Sequence, residues 1–170
     1  MNLFKKPNDR DLKVFIVDDE EYYSSLTKVN LNKLGITDIK IFNNGEECLL
    51  EMINNTPDCV ILDYLLVGGM NGEEILKRIK KDFKNVEVII LSGQEDVGIA
   101  SDIMREGASD YIVKNNMSLF NLGNILKKLK IIINSKELQK WSERRLKLTY
   151  LLSIIVVWVL GVVYFIFLKK

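Results

Sequence analysis

Two hydrophobic patterns alternate along the chain, short continuous apolar runs and longer segments with helical spacing. Runs such as VFIV, CVILD and VEVIILS are rich in leucine and β-branched residues, which is typical of strands that helices cover on both faces. These runs predict five strands, at residues 14–18, 39–42, 59–63, 86–92 and 111–114. The helical segments predict helices at residues 20–34, 46–53, 72–83 and 96–106, and a fifth helix that begins at Ser118.

The predicted helices are amphipathic. In the first helix, Leu26, Val29 and Leu34 form the apolar side, and Gly35 ends the helix. In the fifth helix the apolar face is longer, and it comprises Leu119, Leu122, Ile125, Leu126, Leu129 and Ile133.

The alternation of strands and helices predicts an α/β fold, a doubly wound five-stranded parallel sheet over residues 12–131. In such folds, ligands bind at the carboxyl ends of the strands, near the topological switch point. The predicted strand ends carry three carboxylates, a hydroxyl and an ammonium, which belong to Asp18, Asp19, Asp63, Ser92 and Lys114. If these strands are neighbours, the five side chains converge at one edge of the sheet.

Carboxylates that are clustered at the end of a buried strand repel one another and lose hydration. A hard divalent cation offsets this cost, and Mg²⁺ is usually held by one or two carboxylates together with a phosphate. An ammonium suits a phosphoryl oxygen, and a carboxylate can act as the nucleophile in phosphoryl transfer. Each residue also has an ordinary interpretation, as a helix or turn cap for the aspartates and as a solvated loop residue for Lys114. Their ordered occurrence at the strand ends favours a functional site.

Composition excludes several kinds of chemistry. The chain contains no histidine, which excludes a Ser-His-Asp triad, a Cys-His pair and an imidazole metal ligand. Cys48 and Cys59 lie in apolar segments, which predicts buried, reduced thiols in a cytoplasmic compartment. Charge is divided unevenly, because residues 1–115 carry 14 Lys and Arg against 21 Asp and Glu, whereas residues 116–170 carry 10 against 2. An acidic domain followed by a basic segment indicates two different roles.

The segments VFIVDDEE, CVILDYLL, VIILSG and GASDYIVK resemble the receiver domains of two-component response regulators, over residues 12 to about 130. The resemblance implies the flavodoxin-like receiver fold, Mg²⁺ as cofactor, and a histidine kinase or phosphotransfer protein as partner. Residue by residue, it assigns the metal to Asp18, Asp19, Asp63 and the backbone carbonyl of Leu65. It assigns phosphoryl acceptance to Asp63, further catalytic roles to Lys114 and Ser92, and the conformational switch to Ser92 and Tyr111.

The chain departs from the family pattern at two loops beside this site. The family usually has a glycine eight residues after the phosphoacceptor, whereas Gly72 follows Asp63 by nine, which indicates a one-residue insertion near Gly68 and Gly69. The family also usually has a cis proline after the lysine, where this chain has Asn115. Because a cis bond before a residue other than proline costs about 2.5–4 kcal/mol, we expect a trans bond and a shifted turn.

The segment after the receiver is apolar and flanked by lysines. Residues 149–168, TYLLSIIVVWVLGVVYFIFL, form a stretch of 20 without a charge, about the length that spans a bilayer as a helix. The sequence therefore predicts an N-terminal tail at residues 1–11 that is not a secretory signal, a basic juxtamembrane helix at 132–148, and a transmembrane tail anchor at 149–168. The basic segment is expected to meet anionic lipid rather than nucleic acid. We expect the receiver to lie on the cytoplasmic side of a prokaryotic membrane, because positive charge is retained inside.

Three functions are compatible with this sequence. The leading hypothesis is a membrane-anchored single-domain response regulator in phosphorelay signal transduction, a phosphoacceptor rather than an enzyme with turnover. A degenerate receiver that acts as a phosphorylation-independent membrane scaffold is the alternative. An aspartyl-phosphate phosphohydrolase is disfavoured, because Leu65 stands where such enzymes need a second aspartate. The sequence leaves open the kinase, the output and whether the chain forms a dimer or contacts a membrane-protein output partner.

Overall fold

A computed structural model describes residues 10–93, 96–115 and 117–168 of the chain. Five strands and five helices alternate: β1 Lys13–Val17, α1 Glu21–Lys33, β2 Asp38–Phe42, α2 Gly45–Asn54, β3 Cys59–Asp63, α3 Gly72–Asp82, β4 Glu87–Ser92, α4 Val97–Arg105, β5 Asp110–Val113 and α5 Ser118–Leu168. These elements confirm the predicted order, with bounds that differ by one or two residues. Residues 1–9 of the predicted N-terminal tail lie outside the described residues. Lys169 and Lys170 also lie outside them.

The five strands form one parallel sheet in the order β2-β1-β3-β4-β5. Val17 pairs with Leu62, Asp63 with Leu91, and Ser92 with Val113, so β1, β3, β4 and β5 end at nearly the same level. β1 and β3 are adjacent although α2 and β2 lie between them in sequence, and this change of direction is the topological switch point of the sheet. The predicted five-stranded parallel α/β fold is therefore present.

Local signals in the sequence explain where several helices begin. Asn44 and Asp96 cap α2 and α4 by accepting backbone N–H groups through their side chains. At α3, Asn71 and Glu74 form a reciprocal capping box, in which each side chain accepts the backbone N–H of the other. Caps of this kind typically contribute about 1 kcal/mol each.

The core lies on both faces of the sheet, as the continuous apolar runs predict. All five residues of β3 are buried, and the largest cluster packs Phe15, Val60, Leu62 and Ile90 against the apolar side of α3. Cys48 and Cys59 are buried free thiols, as predicted. Burial raises the pKa of the Cys48 thiol to about 12, which keeps it protonated and unreactive at neutral pH.

The orientation of α1 differs from the prediction. Leu26 and Val29 are 39% and 50% exposed, whereas Ser24, Thr27 and Leu31 are the buried residues of this helix. These three share one face at helical spacing, and the small side chains of the first two allow α1 to lie close to the sheet. Burial of Ser24 is tolerated because its hydroxyl donates to the Glu21 carbonyl at 3.0 Å.

The chain divides into two units, residues 11–130 and residues 131–168 together with Arg10. Within the first unit, α5 buries Leu122 and Leu126 and partly buries Leu119, Ile125 and Leu129, which confirms the predicted apolar face. Within the second unit, Arg10 Nε contacts Glu137 Oε1 at 2.7 Å. The last part of α5 exposes its apolar side chains and is long and apolar enough to cross a membrane, as judged by length and composition alone.

The orientation of α1 predicts unequal effects of two leucine substitutions. Leu31→Ala should lower the free energy of unfolding by about 2–5 kcal/mol, because it removes a fully buried side chain. Leu26→Ala should change this free energy by less than about 1 kcal/mol, because Leu26 remains exposed to solvent. Urea denaturation of the detergent-solubilised chain, followed by circular dichroism of its tyrosines, measures both changes. Equal losses would contradict the orientation of α1.

Candidate functional site

Three aspartates from two strand ends converge at the carboxyl edge of the sheet. Asp18 and Asp19 follow β1, Asp63 ends β3, and carboxylate oxygens of all three lie within 4.8 Å of one another. Asp18 and Asp63 are buried, whereas Asp19 is exposed. Sequence analysis predicted this convergence from strand ends alone, and the structure brings the three aspartates together.

Lys114, which follows β5, bridges the two buried carboxylates. Its Nζ donates to Asp18 Oδ2 and to Asp63 Oδ2, both at 2.9 Å, and its side chain is only 14% exposed. Its backbone N–H donates to the Ser92 carbonyl at 2.7 Å, which extends the β4–β5 pairing as far as the lysine. The ammonium is thus fixed by the backbone at one end and by two carboxylates at the other.

Burial and charge pairing act in opposite directions on these groups. Burial raises the pKa of Asp18, although Lys114 and the Glu20 N–H oppose this change. Burial lowers the pKa of Lys114, but hydrogen bonds to Asp63 and Asp18 outweigh burial, so the net change is upward. The Lys114 ammonium contacts two of the three carboxylates, so acidic groups outnumber basic ones in the cluster. This donor set fits a hard divalent cation such as Mg²⁺.

Both carboxylate oxygens of Asp63 have partners. Oδ2 accepts from Lys114, and Oδ1 accepts from the Leu65 N–H at 3.2 Å. The backbone of Leu65 therefore lies at the cluster, as predicted, while the metal-ligand role of its carbonyl stays a prediction. These contacts fix the orientation of the carboxylate that is the candidate nucleophile.

Gly72 begins α3 directly against the end of β3. A Cβ atom at this position would lie 2.6 Å from the Asp63 carbonyl oxygen and 2.7 Å from Tyr64 Cα. Because these are backbone atoms that cannot move aside, only glycine allows the loop to return this close to Asp63. Gly72 therefore closes the loop between β3 and α3.

The loop between β3 and α3 is held by Glu46, a residue that the sequence pattern did not single out. Glu46 Oε1, at the start of α2, accepts the Met70 N–H at 2.8 Å. This hydrogen bond lowers the pKa of Glu46. Gly68 in the same loop has a φ of +84°, which glycine adopts without strain. No local pattern in the sequence connects positions 46 and 70, so nothing in it indicated this contact.

The turn after Lys114 is formed by hydrogen bonds to Asn115. The Lys114–Asn115 bond is trans, as predicted. Asn115 Oδ1 accepts the Met117 N–H at 2.8 Å, and the Asn115 carbonyl accepts the Ser118 N–H at 3.1 Å and the Ser118 hydroxyl at 2.8 Å.

The sequence pattern also did not single out Tyr23 of α1, whose ring centroid lies 4.6 Å from Lys114 Nζ.

Ser92 and Tyr111, the two residues predicted to switch, lie on neighbouring strands. Ser92 is fully buried at the end of β4, beside the cluster through its backbone contact with Lys114. Tyr111 is partly buried in β5 and packs against the core. These positions fit the predicted roles, which concern a change of conformation and stay predictions.

The chain is similar in sequence to a known protein family and to individual proteins. The family profile of the response regulator receiver domain matches residues 14–130. The chain is 34% identical over 101 residues to the DNA-binding transcriptional regulator NtrC of Salmonella typhimurium, a match that covers 59% of this chain and 21% of that protein. It is 36% identical over 114 residues to a putative response regulator NtrX-like of Rickettsia typhi, with 65% and 24% covered. The chain thus matches about a fifth to a quarter of the length of these relatives.

Solved structures of receiver domains superpose on the chain. The Francisella response regulator 1452 receiver domain is 25% identical with a TM-score of 0.67, and the superposition covers 72% of this chain and 99% of that domain. A CheY-like receiver domain protein from Methanospirillum hungatei is also 25% identical, with a TM-score of 0.65 and coverages of 75% and 99%. Since the family profile spans well over half of the sequence, the chain belongs to the response regulator receiver domain family.

Proposed function

We propose that the chain is a membrane-anchored response regulator that accepts a phosphoryl group on Asp63 from a histidine kinase or phosphotransfer protein. The observation that carries this proposal is the position of the Lys114 ammonium, 2.9 Å from both Asp18 and Asp63, within a cluster of three carboxylates. The surplus of carboxylates favours a site that gains positive charge and a phosphoryl group in use.

The proposed reaction is a single displacement. A carboxylate oxygen of Asp63 attacks the phosphorus of a phosphohistidine, an O–P bond forms, and the P–N bond breaks. The leaving imidazole keeps the electron pair and takes a proton from solvent, and Asp63 becomes an acyl phosphate. Lys114 holds a phosphoryl oxygen through its ammonium. Asp18, Asp19, Asp63 and the Leu65 carbonyl would hold Mg²⁺, which supplies the remaining positive charge.

The chain takes up one phosphoryl group per molecule in this proposal and is not a phosphohydrolase. The Leu65 side chain, at the position two residues after the nucleophile, has no acidic group to activate a leaving group or water. Ser92 donates its hydroxyl to the new phosphoryl group, and Tyr111 changes its rotamer in response. The two residues thereby couple Asp63 to the surface of α4, β5 and α5.

The last part of α5 is the proposed membrane anchor. Residues 149–168 carry no charge, and none of the 18 residues that best fit a span is buried within the structure. A surface of this kind is unstable in water and stable in the hydrocarbon core of a bilayer. Basic residues precede it within about fifteen positions: Lys136, Lys140, Arg144, Arg145 and Lys147. This charge favours a cytoplasmic receiver in a prokaryotic membrane, where a kinase finds ATP.

Phosphoryl acceptance is tested by intact mass measurement after incubation with phosphoramidate and Mg²⁺. The wild type should gain one phosphoryl group, and Asp63→Asn should gain none, because the amide is not a nucleophile. Asp82→Asn, which changes an exposed aspartate paired with Arg78, is the matched control and should label like the wild type. Labelling of Asp63→Asn at the wild-type level would refute the assignment.

Metal binding is tested by the effect of Mg²⁺ on stability. A cation that binds only the folded cluster should raise the free energy of unfolding by about 1.4 kcal/mol at ten times its dissociation constant. Asp19→Asn should abolish this gain with little effect on folding, because Asp19 is exposed. Glu21→Gln is the matched control, since Glu21 belongs to the same acidic run but not to the three-carboxylate cluster. Equal gains for both variants would exclude Asp19 as a ligand.

Membrane anchoring is tested by extraction of the protein from isolated membranes. The full chain should resist high salt and carbonate, and a chain that ends at Leu148 should be soluble, because it lacks the apolar segment. Protease should cleave the receiver in inverted vesicles and leave it intact in right-side-out vesicles. Release by salt alone would indicate a surface-bound helix, and the opposite protease pattern would place the receiver away from cytoplasmic kinases.

A further inference from the structure

A tyrosine of α1 forms a third contact with the Lys114 ammonium. The Tyr23 ring centroid lies 4.6 Å from Lys114 Nζ, within the range of a cation–π interaction. The same Nζ donates to Asp18 and to Asp63. Both the lysine and the ring are partly shielded from solvent, which strengthens electrostatic attraction between them.

The hydroxyl end of Tyr23 reaches the turn that follows Lys114. Ser118 Oγ lies 2.8 Å from the Asn115 carbonyl, which can only accept, so the serine hydroxyl donates its proton there. The Tyr23 and Ser118 oxygens are also 2.8 Å apart. Because the serine proton is already used, the tyrosine O–H is the donor in this second bond. The bonds therefore run in one direction, from Tyr23 through Ser118 to Asn115.

This arrangement lets one side chain act on Lys114 from two sides. The ring faces the ammonium, and the hydroxyl, through Ser118, fixes the backbone of the residue that follows the lysine. Asn115 has no ring that restricts its φ angle, so the turn depends on such hydrogen bonds. A lysine side chain has four flexible carbon–carbon bonds, and its ammonium is held in place only by the groups around it.

We propose that Tyr23 is a positioning residue, which holds the Lys114 ammonium at the distance from Asp63 that phosphoryl transfer requires. The inference rests on the proposed phosphoacceptor function. In the unphosphorylated protein, the ammonium contacts the carboxylates of Asp18 and Asp63 and the ring of Tyr23. When a phosphoryl group joins Asp63, the ring keeps the ammonium at the site, where it binds a phosphoryl oxygen.

The test measures the rate of phosphorylation by phosphoramidate, with the full chain in detergent and saturating Mg²⁺. A small donor is chosen because its rate does not depend on a protein docking surface. Tyr23→Leu removes the ring and should lower the maximum rate by about tenfold, with the half-saturating donor concentration unchanged. Tyr23→Phe keeps the ring and loses the hydrogen bond, so its loss should be smaller, about threefold. Tyr22→Leu changes a neighbouring tyrosine that is 74% exposed and should leave the rate unchanged.

Two double variants separate positioning from a general structural effect. In a Lys114→Met background, Tyr23→Leu should cause no further loss, because the ring acts through the ammonium. Ser118→Ala removes both the Tyr23 and the Asn115 hydrogen bonds, so its loss should be at least that of Tyr23→Phe, and their combination should equal Ser118→Ala alone. If Tyr23→Leu does not fold, Tyr23→Phe and Ser118→Ala carry the test.

The outcomes distinguish this inference from the proposed function. Wild-type rates in the Tyr23 and Ser118 variants, with no labelling of Asp63→Asn, overturn the inference and leave the proposed function intact. Additive losses in the Lys114→Met background overturn it as well, because the tyrosine would then act elsewhere. Absence of labelling on the wild type overturns the proposed function, and the inference falls with it.

Discussion

Lys114 places one ammonium group between two buried carboxylates that belong to different strands. β4 lies between β5, which carries the lysine, and β3, which carries Asp63, so the side chain must cross the end of β4. The end of β4 is formed by Ser92 and Gly93, whose small size leaves room for this crossing. Removing charged groups from water costs several kcal/mol for each ion, and the paired geometry offsets much of that cost. The aspartates at the carboxyl edge of the sheet therefore depend on Lys114, which follows the outermost strand β5.

Lys114 pairs with only two of the three carboxylates in the cluster. This incomplete charge pairing connects the stability of the fold to the proposed function. Burial raises the pKa of Asp18 in spite of its contact with Lys114, and the charge of Asp63 adds to this increase. A fold selected for stability alone would bury fewer charges at this edge. A divalent cation would supply the positive charge that this acidic cluster lacks and would offset the repulsion among its carboxylates.

The sequence best predicted those features that depend on residues close together in the chain. Continuous β-branched runs predicted the strands, the cap residue Ser118 predicted where α5 begins, and the strand ends predicted the aspartate cluster. The predicted face of α1 was wrong because Leu26 and Val29 are apolar, whereas Ser24 is small and satisfies its hydroxyl within the helix. Tyr23 and Glu46 were missed for a different reason. Their contacts, with Lys114 and Met70, depend on how distant elements pack, and no periodicity within either helix reports them.

Both loops that depart from the family pattern are held by side chains from neighbouring elements. The loop between β3 and α3 is anchored by Glu46 of α2, and the turn at Asn115 is anchored by Ser118, which Tyr23 of α1 contacts. A proline restricts the backbone through its covalent ring, whereas a hydrogen bond restricts it only while both partners stay in place. The geometry beside Asp63 is thus tied to the positions of α1 and α2.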